Sequence, residues 1–169
     1  TLDTSPATPK LTYPVPDDAD DQIDLIVANT DVAKANFGRS IPLTFDHILT
    51  AIRFKVDFPC KVKSLTVNGV YNIGTYTYGS GWSNQTNLHN YGFGESYFTA
   101  DGQYFGTSDY LNRSDNTLIL MPQTVPAEAN VQLVYSTDDG ANWQTLTASI
   151  AGHEWQPGKR VTYTLSKSG

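Results

Sequence analysis

Alternation of apolar and polar residues at every second position is the feature that most constrains this chain. It is clearest in residues 53–58, where Phe54, Val56 and Phe58 alternate with charged residues. This period places one face of a strand against a core and the other face in water. The composition agrees, because the chain contains 20 Thr but only three Glu, a balance that favours strands over helices.

Similar segments recur along the chain and are separated by turn-forming residues. We predict strands at residues 23–28, 41–58, 62–70, 71–78, 117–121, 131–136, 143–150 and 160–166. The alternation changes parity near residues 46–49, which predicts a bulge or a bend between two sheets. Residues 45–54 also fit a helical period, but no capping residues flank them and we favour a strand. The pattern predicts an all-β fold, an antiparallel β-sandwich of about seven strands.

Two short motifs predict turns. The Asn68-Gly69 pair predicts a β-hairpin, because both residue types accept positive φ. Residues 136–143 fit the pattern S-x-D-x-G-x-x-W and resemble the Asp-box of sialidases, in which the motif shapes a hairpin turn remote from catalysis. It occurs once here, so we interpret it as a hairpin turn only.

Three segments lack a strand pattern. Residues 1–22 hold four prolines and the acidic run 17–21, which is typical of a linker, and we expect a further domain to precede it. The sandwich domain is then expected at 23–169. Residues 29–40 are expected to form a polar loop, and residues 79–116, rich in Gly, Asn and aromatic side chains, a long irregular loop.

The aromatic residues of segment 79–116 are the candidate ligand-binding residues. Aromatic faces stack on sugars and peptides, and Tyr and Trp are frequent interface anchors. If this segment binds a ligand, some of its rings must be exposed together. The candidates are Trp82, Tyr91, Tyr97 and Tyr104. The alternative is that these rings fold back and cover the sandwich.

No set of residues in the sequence suggests catalysis. His47, His89 and His153 lie in no nucleophile motif, no His or Cys spacing suits zinc, and there is no phosphate-binding loop. We therefore predict no enzyme activity, no metal and no cofactor. A net charge of −6 with scattered Lys and Arg argues against nucleic acid as a partner. The single cysteine, Cys60, is expected to be a buried apolar residue.

The order of several further motifs resembles the fimbrillin-like proteins, the type V pilus subunits of Gram-negative anaerobes and their relatives. The motifs are Leu43-x-Phe45-x-His47, Met121-Pro122-Gln123 and the pattern W-x-P-G-K-x-x-x-Y over residues 155–163. The resemblance covers about residues 23–166. The residues that match the family pattern, expected in core or strand-end positions, are Phe45, His47, Ile52, Phe54, Val56, Leu120 and Trp155.

The resemblance implies a transthyretin-like sandwich in a structural or adhesive component of a fimbria or of a related cell-surface protein. It implies assembly with other pilus or surface subunits by strand donation, with a host glycan or protein as further candidate partners. It also implies location at the cell surface, fimbrial or associated with the outer membrane, through a lipid anchor on a region preceding this sequence. Stalk, tip and anchor roles stay open. The alternative function is a carbohydrate- or peptide-binding module that uses residues 79–116.

Overall fold

The structure, a computed structural model, describes residues 1–5, 7–28, 30 and 38–167. Strands dominate it, as predicted, and the one α-helix among the described residues, α1, is a single turn at Glu95–Phe98. The strands are β1 (Leu2–Asp3), β2 (Lys10–Pro14), β3 (Ile26–Ala28), β4 (Phe45–His47), β5 (Thr50–Val56), β6 (Cys60–Thr77), β7 (Gly81–Phe93), β8 (Gln103–Phe105), β9 (Leu118–Leu120), β10 (Gln123–Thr124), β11 (Asn130–Ser136), β12 (Gln144–Ser149), β13 (Glu154–Trp155) and β14 (Arg160–Leu165).

A large, fully antiparallel sheet is built around the 18-residue strand β6. On one side, β6 pairs with β11 along its first half and with β2 along its second half. On its other side it pairs with β8 and β7. Strand β12 extends the sheet beyond β11, and β1 extends it beyond β2.

A smaller sheet of three strands, in the order β14-β5-β9, faces the large one. Strand β9 is antiparallel to β5, whereas β14 is parallel to it, with Arg160 opposite Ala51 and Leu165 opposite Val56. The period-2 prediction for β5 is confirmed, because its inward residues Ile52, Phe54 and Val56 are fully buried. The all-β sandwich is therefore confirmed, with one parallel strand pair among the residues that the structure describes. Its transthyretin-like topology stays a prediction.

The core between the sheets includes most of the residues that were assigned from the family pattern. Leu120 and Trp155 are buried, as expected. Phe45 and His47 are the first and last residues of β4 and are exposed, so they occupy the strand-end positions and not the core. Cys60 is 2% exposed, and burial raises the pKa of its thiol to about 11, which confirms it as a buried apolar residue.

The predicted bend near residues 46–49 is confirmed. Strand β4 ends at His47 and pairs with β3, whereas β5 begins at Thr50 and enters the small sheet. The helical alternative for residues 45–54 is wrong. Residues 29 and 31–37 of the predicted polar loop lie outside the described residues.

The hairpin predicted at Asn68-Gly69 is wrong, because both residues lie inside the continuous strand β6. Gly69 does adopt a positive φ of 72°, but it does so in a β-bulge. Val67 pairs with Tyr91 and Val70 with His89, so two residues of β6 face one residue of β7. The Oδ1 atom of that residue, Asn90, accepts the Gly69 N–H at 2.9 Å. The glycine therefore shifts the register without ending the strand.

The irregular loop predicted at 79–116 is also wrong over most of its length. Strand β7 occupies 13 of its residues and pairs along β6, and α1 and β8 follow. Asn84 and Asn87 have φ values of 53° and 62°, and the pairing with β6 shifts register between Ile73 and Thr75. Because most of β7 is solvent-exposed and locally distorted, it carries no apolar period that the sequence could reveal.

The segment 1–22 is part of the sandwich and not the linker that its prolines suggested. Strand β2 pairs with β6 from Lys10 opposite Thr77 to Pro14 opposite Ile73. Val15 is 2% exposed and belongs to the core. The side chain of Gln22 accepts the Ile119 N–H at 2.7 Å. The domain therefore includes this segment, while a further domain before it stays a prediction.

Candidate functional site

The structure does not bring the four candidate aromatic residues together on one surface. Tyr91 faces the core from β7 and is 2% exposed, and its hydroxyl donates to Val15 O at 3.3 Å. Burial raises the pKa of that hydroxyl. Trp82 is half-buried at the other end of β7, where its Nε1–H donates to Ile48 O and its ring packs edge-on against Tyr76. Tyr91 is therefore buried away from any ligand, and Trp82 is only partly accessible.

Tyr97 and Tyr104 lie on different elements. Tyr97, on α1, packs against Phe93 and Phe98 with ring centroids 4.6 and 4.9 Å away, and the Arg113 guanidinium lies 4.4 Å from its ring. Tyr104, on β8, is 66% exposed. One ring of the four is therefore open to solvent. A binding role for Tyr104 stays a prediction, but the shared aromatic platform is wrong.

The hairpin turn predicted from the S-x-D-x-G-x-x-W motif is confirmed between β11 and β12. Ser136 Oγ donates to Asp138 Oδ1 at 2.6 Å and accepts the Gly140 N–H at 2.9 Å. Asp138 also accepts the backbone and side-chain N–H groups of Asn142. These bonds hold the pKa of the Asp138 carboxyl well below its usual range, at about 2. The hydrogen bonds that the carboxylate accepts therefore stabilise the turn itself.

The free edge of β14 is the most distinctive open surface of the small sheet. Ala51 N bonds to Lys159 O and Asp57 N bonds to Leu165 O. Parallel strands bond through alternate residues, so the intervening odd-numbered residues also face β5. Arg160, Thr162 and Thr164 therefore direct their N–H and C=O groups away from the sheet. Within residues 1–5, 7–28, 30 and 38–167, no strand pairs with this edge.

Side chains beside this edge are incompletely covered. Val161 and Tyr163 point inward and pack against the core, yet both are only half-buried. Tyr163 is held by the Trp155 Nε1–H, which donates to its hydroxyl at 2.8 Å. An added strand would place its own inward side chains next to these two residues and remove them from water.

The other side of the small sheet is covered. The outward N–H of Ile119 in β9 donates to the Gln22 side chain, which takes the place of a neighbouring strand as the acceptor. Beyond the end of β9, the N–H groups of Ser108 and Leu111 donate to Val56 O and Phe54 O of β5. In the large sheet, β12 is also an edge strand.

Two kinds of feature are absent from the described part of the chain. It holds no group of three or more His, Cys, Asp or Glu side chains arranged for a metal ion. Its helices are also too short and too polar to cross a membrane.

Comparisons with known proteins identify one matching family model and several solved structures of similar fold. A family model described as fimbrillin-like matches residues 3–168. Among solved structures, a proposed cell adhesion protein from Bacteroides uniformis ATCC 8492 superimposes with a TM-score of 0.55 at 17% identity, over 95% of this chain and 62% of that protein. A proposed cell adhesion protein from Bacteroides thetaiotaomicron VPI-5482 has a TM-score of 0.45 at 12% identity, over 96% of this chain and 67% of that one.

The Bacteroides uniformis structure supports the fold alone, because its sequence identity is low. The chain spans 62% of the length of that protein. No curated protein matches the sequence.

Proposed function

The chain belongs to the fimbrillin-like family, and from this premise we propose that it is a structural or adhesive component of a fimbria or related cell-surface assembly. Other subunits join it by adding a strand to the free edge of β14. The observation that carries this proposal is the row of outward main-chain groups on Arg160, Thr162 and Thr164 beside a half-buried apolar row.

Strand addition suits this edge for physical reasons. An extended segment lying along β14 satisfies several main-chain donors and acceptors at once, which gives affinity without a deep pocket. Side chains of that segment alternate in direction, so every second one packs beside Val161 and Tyr163. Those inward positions require apolar residues. The outward positions lie next to Arg160 and favour acidic or polar residues.

We place the protein at the cell surface, in or beside a fimbria, held by a lipid anchor on a region that precedes this sequence. Partners are other pilus or surface subunits that supply the added strand. Stalk, tip and anchor positions all use the same edge, so the strand-addition test applies to each of them.

A proline substitution on the edge tests the proposal. Thr162→Pro removes an outward N–H and fills the space that an added strand needs, but leaves the bonds from β14 to β5 intact. Thr162→Val keeps the N–H and is the matched control. We expect fimbriae sheared from the source bacterium to contain the valine variant at the wild-type level and to lack the proline variant.

The incorporation result counts only for a variant that, when purified, unfolds at the same temperature as the wild type. Thr164→Pro removes the next outward N–H and is the second variant if Thr162→Pro unfolds at a lower temperature than the wild type. Incorporation of a folded proline variant at the wild-type level would show that assembly does not use this edge.

A further inference from the structure

A basic groove lies on the outer face of the small sheet. It has a volume of about 360 Å³ and runs between the sheet, the base of the β3–β4 pair and the segment 110–117. Three cations line it, together with the aliphatic hydroxyls of one serine and two threonines. They are Arg53, Lys159, Arg160, Ser114, Thr117 and Thr162. Its size lies at the low end of the range for small-molecule sites, about 300–1,000 Å³.

Strand register brings the two arginines together. Arg160 of β14 lies opposite Ala51 of β5, and Thr162 lies opposite Arg53. Arg53 and Arg160 are therefore diagonal neighbours on the same face, a separation that long side chains can bridge. The pairing of β14 with β5 therefore brings together two arginines that are far apart in the sequence and belong to no common motif.

Arg53 is held in place before any ligand arrives. Its Nη2 donates to Asn112 O at 2.7 Å, and its guanidinium carbon lies 3.6 Å from the centroid of the Tyr110 ring. Asn112 is fully buried, and its side chain accepts the Phe54 N–H at 3.0 Å. The Nε atom of Arg53 is shielded from solvent and has no partner among the described residues.

The positive charge of the groove is only partly compensated within the described part of the chain. No carboxylate there forms an ion pair with Arg53, Lys159 or Arg160. The one acidic lining residue, Asp24, is hydrogen-bonded to the His47 Nδ1 at 2.5 Å, so three cations share the groove with a single carboxylate. The whole chain carries a net charge of −6, so a concentration of unpaired cations here is unusual and points to an anionic ligand.

We propose that this groove binds a carboxylate-bearing saccharide, such as a short uronate oligosaccharide. A guanidinium fork matches the geometry of a carboxylate, and Arg160 and Lys159 supply further charge. The hydroxyls of Ser114, Thr117 and Thr162 meet the hydroxyls of the sugar. This site adjoins the strand-addition edge, because Arg160 and Thr162 lie on β14. It differs from strand addition in using side chains on the outer face, centred on Arg53 of β5, and not the outward main-chain groups of that edge.

A saccharide fits the groove better than an acidic peptide does. The main chain of β5 beneath the groove already bonds to β14 on one side and to β9 or segment 108–111 on the other. A peptide lying there would find no strand edge for its own N–H and C=O groups. A sugar requires only side-chain donors and acceptors, which are what the groove presents.

Isothermal titration calorimetry on the full chain tests the proposal with digalacturonate and its methyl ester, which has the same shape without the charge. We expect digalacturonate to bind, and the ester to bind at least about tenfold more weakly. Arg53→Gln and Arg160→Gln should each weaken binding of digalacturonate by about tenfold or more. The exposed Arg160 serves as the second variant if Arg53→Gln does not fold.

Lys63→Gln is the matched control, because it removes one positive charge from the large sheet, where Lys63 lies over the Trp143 ring. It should bind digalacturonate as the wild type does. Absence of binding at the solubility limit of the sugar, equal binding of the ester, or equal weakening by Lys63→Gln would each overturn the proposal. Tighter binding of a triglutamate peptide than of digalacturonate would also overturn it, in favour of a peptide ligand.

Discussion

The Trp155 side chain connects the last strand to the core. Its ring is 2% exposed and its Nε1–H donates to the Tyr163 hydroxyl. We expect Trp155→Ala to lower the free energy of unfolding by about 3–5 kcal/mol, because a buried large aromatic is replaced by a cavity. Tyr163→Phe removes only the hydroxyl and should cost about 1 kcal/mol. Urea denaturation measures both, and an unchanged midpoint for Trp155→Ala would contradict the burial.

Asp138 is the residue whose ionisation should matter most for the β11–β12 turn. The Ser136 hydroxyl, followed by the Asn142 side chain and backbone, lowers the pKa of its carboxyl from 3.8 to about 2. A lowered pKa stabilises the turn fully above pH 3.8, and this contribution is lost as the pH falls through about 2. An NMR titration of the side-chain carboxyl should show the low value, and Ser136→Ala should raise it. An ordinary pKa in the wild type would contradict the bonding.

At the scale of elements, the sequence predicts strands that are buried on one face and fails where a strand is mostly solvated. Strand β5 was predictable because Ile52, Phe54 and Val56 alternate strictly. Strand β7 was not, since most of its residues face water and Asn84 and Asn87 interrupt its backbone geometry. Strand β2 was hidden by its prolines, because only its pairing with the distant strand β6 makes it a strand.

Deleting residues 1–22 tests whether β2 is part of the folded unit. The deletion removes β2 from β6, Val15 from the core and the Gln22 side chain from Ile119. We expect a loss of at least about 2 kcal/mol in the free energy of unfolding, from burial of one Val and several hydrogen bonds. Deleting residues 1–8 removes only the exposed strand β1 and should cost about 1 kcal/mol or less. Equal stability of the two truncations would show that β2 contributes nothing.

At the scale of the whole molecule, the groove proposed for ligand binding is made by segments that are far apart in the sequence. The basic groove combines Arg53, Tyr110 and Arg160 from three separate parts of the chain. The aromatic residues that the sequence singled out are close together in the chain, yet β7, α1 and β8 separate them in the fold. Residue type therefore identified side chains that could bind, whereas only strand pairing decides which of them meet.

The same distant pairing predicts how the molecule folds. Strand β5 completes its sheet only when β14, the last strand described, docks beside it, and both sheets share one core. We therefore expect a single cooperative unfolding transition and refolding in milliseconds to seconds, the range of folds dominated by non-local strand pairs.

Tryptophan fluorescence reports on Trp82 and Trp143 beside the large sheet and on Trp155 in the core, while far-UV circular dichroism reports on all strands. Coincident denaturant curves from the two probes are the expected result, with stopped-flow fluorescence giving the rate. Two separated transitions would mean that the sheets fold as independent units, and refolding in microseconds would mean that local contacts, not the β5–β14 pairing, limit the rate.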